Sequence, residues 1–206
     1  MTVAGNIYGV VLNDLNERKL LANAFDEKPY LAPPKAPVVY MKPLSSLASG
    51  PIIVPPSGGL FASTTIAVLI ARDTGGATPN IIASCIGGVA LALDLALPAT
   101  SYYRPAIAQK NGDGRLAIGK FVAPPLPGSI RLLADGKTIH QWSLERMARP
   151  IEALILDLAD FMTLKAGDVL LVGLPGDAPT VSANVSLQVE ADGLPTLDVT
   201  TIGGTQ

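Results

Sequence analysis

Hydrophobic and polar positions alternate in short runs along most of this chain, and the alternation has the two-residue period of half-buried strands. VALALDLALP (89–98) is the clearest case. Leu91, Leu93, Leu95 and Leu97 fall on one face; Ala90, Ala92, Asp94 and Ala96 fall on the other. An acid on a face of alanines has room beside it. FASTTIAVLIARD (61–73) is a second strand, apolar from Ile66 and headed by Ser63 and Thr65, which share one face. Ile7–Leu12, VVYM (38–41, closed by Lys42-Pro43) and IIV (52–54) predict further strands. IRLLADGKTIHQW predicts a hairpin turned at Asp135-Gly136. VLLVG, SANVSLQVEA and LPTLDVT complete the set, with Asp192-Gly193 turning the last two together.

Helical spacing is rarer. Asp14–Phe25 predicts a helix with Leu20, Leu21 and Phe25 inward. Thr78-Pro79 reads as cap and first residue of a second, ended by Gly87-Gly88. Pro150 starts a third, on which Ile151, Leu154, Ile155, Leu158 and Phe161 recur while Asp157 and Asp160 face away. KPYLAPPKAP is too rich in proline for regular helix. Strands do not alternate regularly with helices, so the chain is not doubly wound. The pattern predicts a β-rich α+β domain with a few peripheral helices. All of 1–206 reads as one domain, in which 1–50 packs on a β-rich core of 51–206.

Composition narrows the chemistry. Of 206 residues, 49% are hydrophobic and 16% charged, which suits a well-buried fold and a subunit interface. A net charge of −2 gives no reason to expect nucleic acid or an anionic membrane. The longest apolar run, Ile81 to Leu93, is short for a bilayer. The N-terminus lacks a charged stretch followed by an apolar one, so a cytoplasmic protein is expected. A single cysteine, Cys85, gives no internal disulfide and no cysteine-rich zinc site. One histidine, His140, leaves little scope for a Ser-His-Asp triad, and no nucleophile elbow, P-loop or dinucleotide fingerprint is present.

The segment DLALPATSYYRPAIAQKNGDGRLAIG (94–119) carries more information. With YGVVLND, PYLAPPKAPVVYMKP, the strand from Ser63, and FMTLKAGDVLLVGLP (161–175), it resembles the fumarylacetoacetate hydrolase (FAH) family over nearly the whole chain. Within that family it is most similar to the first half, or small subunit, of the bifunctional isomerase/decarboxylases of 4-hydroxyphenylacetate breakdown. The resemblance implies a mixed β-sandwich or roll with helices outside it, assembled as a homodimer or with a family paralogue. It implies isomerase or decarboxylase activity on small oxo-dicarboxylates or oxo-tricarboxylates of aromatic meta-cleavage catabolism.

The resemblance also implies a divalent metal held by a Glu-x-Glu pair and one Asp, with a lysine nearby; Mg²⁺, Mn²⁺ or Ca²⁺ suits such oxygen ligands. Asp94 falls on the single Asp and Lys110 on the lysine. Ser63 and Thr65 fall on the two glutamates and carry no charge, so no metal or a weakly bound one is expected. Glu17 and Leu20 stand where hydrolytic members have a His–Glu pair, Asn13 is kept, and Gly173-Leu174-Pro175 replaces Gly-Thr-Pro.

Each candidate keeps two readings. Asp94 is a residual ligand or acid/base, or a buried carboxylate paired with Lys110 or Arg104. Lys110 stabilises an enolate, or is an exposed loop lysine. Arg104, beside Tyr103, grips a substrate carboxylate, or stacks structurally. Ser63, Thr65, Tyr103 and Arg104 form the expected substrate set, and Asp94 and Lys110 the catalytic one. Two alternatives to the enzyme stand beside it: a non-catalytic partner of a metal-bearing paralogue, and a fold recruited to a metal-independent binding or catalytic role.

Overall fold

A computed structural model describes residues 3–56, 58–98 and 106–204. They form a strand-rich α+β fold of two sheets, as the alternation predicts. The first sheet runs β2 (Val38–Lys42), β1 (Ile7–Val11), β9 (Val169–Leu171), β4 (Leu60–Ile70), β5 (Ile86–Ala96) and β6 (Leu116–Ile118). β10 (Thr180–Val181) pairs with the start of β4. The second sheet runs β3 (Ile52–Val54), β12 (Leu197–Gly203), β11 (Ser186–Glu190), β7 (Ser129–Ala134) and β8 (Lys137–Ser143).

The main core lies between the sheets. Ile66 and Val68 of β4 and Leu91, Leu93 and Leu95 of β5 meet Ile130, Leu132, Leu187 and Val189 of the second sheet, all at 0–1% exposure. The reverse face of the first sheet is buried too, but by small residues. Ala67, Ala90 and Ala92 cluster there with Ile7, Leu116, Val169 and Leu171. The leucine and alanine faces of β5 are therefore two cores of different bulk.

The helical expectations need three corrections. The first helix is two: α1 (Leu15–Leu20), capped by Asp14, and α2 (Ala22–Asp26), with Leu21 between them. Phe25 is buried as expected, but Leu20 is 75% exposed. The second helix is only a 3₁₀ turn, Ile82–Cys85, and Gly87 and Gly88 lie inside β5. A Cβ on Gly87 would stand 2.8 Å from Ala71 Cβ, and one on Gly88 3.0 Å from the Val122 carbonyl. These glycines permit close strand approach and do not end a helix. A short helix, α3 (Ile107–Lys110), precedes Asn111. The last helix, α4 (Ile151–Ala159), buries Ile151, Leu154, Ile155 and Leu158, whereas Phe161 lies past its end and is exposed.

Around the α1 start, buried Asp14 ties together α1, β8 and the 3₁₀ turn Leu144–Arg146. One carboxylate oxygen caps α1 through the amides of Asn16 and Glu17. The indole of Trp142 donates to the other at 3.1 Å, and Arg146 donates to both. Arg146 also donates to both carboxylate oxygens of Asp177, and His140 Nε2 lies 3.2 Å from Asp177 Oδ1. His140 and the retained Asn13 are thus structural: Asn13 bonds the backbone of Arg149 and the Val172 carbonyl. Cys85 is buried in the packing.

Candidate functional site

β4 and β5 pair antiparallel with Ser63 opposite Asp94 and Thr65 opposite Ala92. Directly opposed residues point to the same side of a sheet. Ser63, Thr65 and Asp94 therefore share the small-residue face, as the sequence alternation predicts. Ser63 is 8% exposed; Thr65 and Asp94 are at 0–1%.

The partners of Asp94 come from further away. Lys42 Nζ donates to Oδ1 at 2.7 Å and Tyr40 Oη donates to Oδ2 at 2.6 Å. Both side chains of the Lys42–Asp94 pair have no exposure. Lys42 also donates to the carbonyl of Lys110. This corrects the expectation that Lys110 pairs with Asp94. Three strands separate β2 from β5, roughly 19 Å in a flat sheet. The contact exists because the sheet curls and because its concave face is built of small residues. Gly9 is the sharpest example: a Cβ there would stand 2.1 Å from the Tyr40 ring. Gly9→Ala should displace Tyr40 and cost about 1–3 kcal/mol of stability in urea unfolding, whereas an unchanged midpoint would show the ring to be free to move.

Lys110 closes α3. Its ammonium lies 4.9 Å from the centroid of the Tyr40 ring, a cation–π distance. Among the described residues it has no hydrogen-bond or ion-pair partner through Nζ. Burial pushes its pKa below the ordinary lysine value; the positive charge of Lys42 acts in the same direction, and Asp94 and Glu17 oppose it.

Lys110 and Ser63 line one cleft of about 420 Å³. Glu17, Leu20, Leu174 and Pro175 line it as well, so positions singled out by resemblance at four distant places in the chain converge there. Apolar walls come from Leu21, Ala24, Phe61, Ala96 and Leu97. Glu17 is buried and its Oε2 accepts from the Leu12 amide at 3.2 Å. Thr65 and Asp94 do not reach the cleft surface and lie beneath it. Arg104 and Tyr103 lie outside the described residues.

A divalent metal does not fit these residues. Both oxygens of Asp94 are already engaged, one of them by a cation, and the two positions facing it are neutral hydroxyls. Among the described residues no three His, Cys, Asp or Glu side chains come together as a metal site. The sequence assigned no role to Lys42 or Tyr40. Their i, i+2 spacing on a strand otherwise apolar was the available signal, and it places both on one face.

A model of the fumarylacetoacetate (FAA) hydrolase C-terminal domain matches residues 6–202. The chain belongs to the fumarylacetoacetate hydrolase family. It is 31% identical over 198 residues to the 4-hydroxyphenylacetate degradation bifunctional isomerase/decarboxylase of Escherichia coli, covering 94% of this chain and 46% of that protein. The chain thus spans about half the length of that relative. It is 30% identical to the oxaloacetate tautomerase YcgM of Escherichia coli K12, covering 79% of this chain and 80% of the other. The fold matches a fumarylpyruvate hydrolase from Pseudomonas aeruginosa, solved in complex with Mn²⁺ and pyruvate, with a TM-score of 0.79 and 19% identity over 98% of this chain and 91% of that one. Among the described residues no helix is long and apolar enough to cross a membrane.

Proposed function

We propose that this chain acts on small oxo acids at the Lys110 cleft, by isomerisation or decarboxylation and without a divalent ion. The observation that carries the reading is the division of labour between two lysines. Lys42 neutralises Asp94 and is sealed beneath the cleft, while Lys110 faces the cleft with no anionic partner among the described residues. A free N–H donor beside apolar walls can meet the oxo group of a substrate and stabilise the charge that develops on it. Ser63 adds a small hydroxyl on the same wall. Relatives named for oxaloacetate tautomerisation and for isomerase/decarboxylase chemistry support the substrate class.

The test is turnover of oxaloacetate, followed as enol–keto conversion and as release of carbon dioxide, with and without a chelator. Turnover should persist with chelator, and Lys110→Met should lower it about a hundredfold. A rate that vanishes with chelator and returns with Mn²⁺ would overturn the metal-free reading. A second reading rests on the half-length match to the bifunctional relative: the chain serves as the metal-poor partner of a metal-bearing paralogue. In that case Lys110→Ala leaves the activity of the reconstituted complex unchanged.

A further inference from the structure

We propose that Lys110 is a nucleophilic amine that forms an imine with the oxo carbon of a β-oxo carboxylic acid, so that decarboxylation here proceeds through lysine. The inference rests on the reading that the cleft takes small oxo acids, and it goes beyond that reading by naming a covalent step.

Geometry supplies the reasons. The one buried carboxylate beneath the cleft, Asp94, is already occupied by Lys42 and Tyr40. Lys110 is therefore left with an aromatic face in place of a counter-ion. Lys42 is bonded to the backbone carbonyl of Lys110, which holds a second positive charge close by. Burial of a lysine against apolar walls favours the free amine, the form that attacks carbonyls; Asp94 and Glu17 act against this and Lys42 acts with it, and burial is the largest influence. The charged and titratable groups facing Lys110 are Tyr40 and Lys42 from β2, Asp94 from β5 and Glu17 from α1, with Tyr30 on the cleft wall. Burial is the largest influence on Lys110 and lowers its pKa.

The step balances without an oxidant or reductant. The lysine nitrogen adds its electron pair to the oxo carbon, and the former carbonyl oxygen leaves as water after taking up protons. The bond to the β-carboxylate then breaks and carbon dioxide departs. The bonding pair moves into a new carbon–carbon double bond, and the iminium π pair moves onto nitrogen, giving an enamine. A proton returns to the enamine carbon, and water cleaves the resulting iminium to release the ketone product and the free amine. Glu17 stands on the same cleft wall as a carboxylate able to carry that proton.

Trapping tests this directly. The full chain is incubated with oxaloacetate and cyanoborohydride, digested, and mapped by mass spectrometry. The peptide bearing Lys110 should carry the reduced secondary amine at least tenfold more than those bearing exposed Lys19, Lys137 and Lys165. Labelling of Lys110 should begin at lower pH than labelling of those three. Lys110→Arg, checked for folding by circular dichroism, should lose that label and leave the surface background. Equal labelling of all lysines would overturn the proposal. Turnover with no adduct at Lys110 would overturn it too, and would leave the broader reading of the cleft standing. A specific adduct without turnover would show a reactive amine at Lys110 but would overturn both the decarboxylation step and the oxo-acid enzyme reading.

Discussion

Lys42→Met should lower the unfolding free energy by about 3–5 kcal/mol, read as a shift of the urea midpoint at constant slope. The pair it breaks has no exposed side-chain area, so water cannot take over the lost contact. Asp94 would keep the Tyr40 hydroxyl on Oδ2 and lose the only cation on Oδ1 among the described residues. The Lys110 carbonyl would lose its donor as well. The penalty is mostly that of an uncompensated buried charge and only partly the worth of the attraction. Lys42→Met combined with Asp94→Leu should therefore recover most of the loss, because no isolated charge remains. A single variant as stable as the wild type would mean that Asp94 is not charged or not buried in solution.

Asp14→Ala should cost about 3 kcal/mol by the same measurement. It removes the cap of α1, worth about 1 kcal/mol, and leaves the buried Trp142 N–H without its acceptor, worth about 1–3 kcal/mol. Arg146 retains Asp177, which limits the electrostatic part of the loss. Asp14→Asn keeps a cap and an acceptor and should cost less than half as much. Equal losses in the two variants would assign the effect to the ion pair with Arg146 and not to the cap and the indole.

Much of the site was legible before the structure. The alternation in 89–98 separated a leucine face from an alanine face, and the register confirms that Asp94 shares its face with Ser63 and Thr65. The room beside Asp94 was real, and Tyr40 and Lys42 fill it. The partner itself was not legible. It depends on how far the sheet curls between β2 and β5, which follows from packing across the whole fold. The helix expected to end at Gly87-Gly88 failed for a related reason: glycine ends helices, but it also allows two strands to approach closely, and local sequence does not separate these uses.

The sequence alone determined most of the strands, their faces and the neutral hydroxyls at Ser63 and Thr65, because side-chain period and residue chemistry are local properties. The tertiary structure decided which cation answers Asp94 and which lysine faces the cleft. Those outcomes rest on contacts between residues 52 and 54 positions apart or more, and only the curled sheet brings them within hydrogen-bond reach.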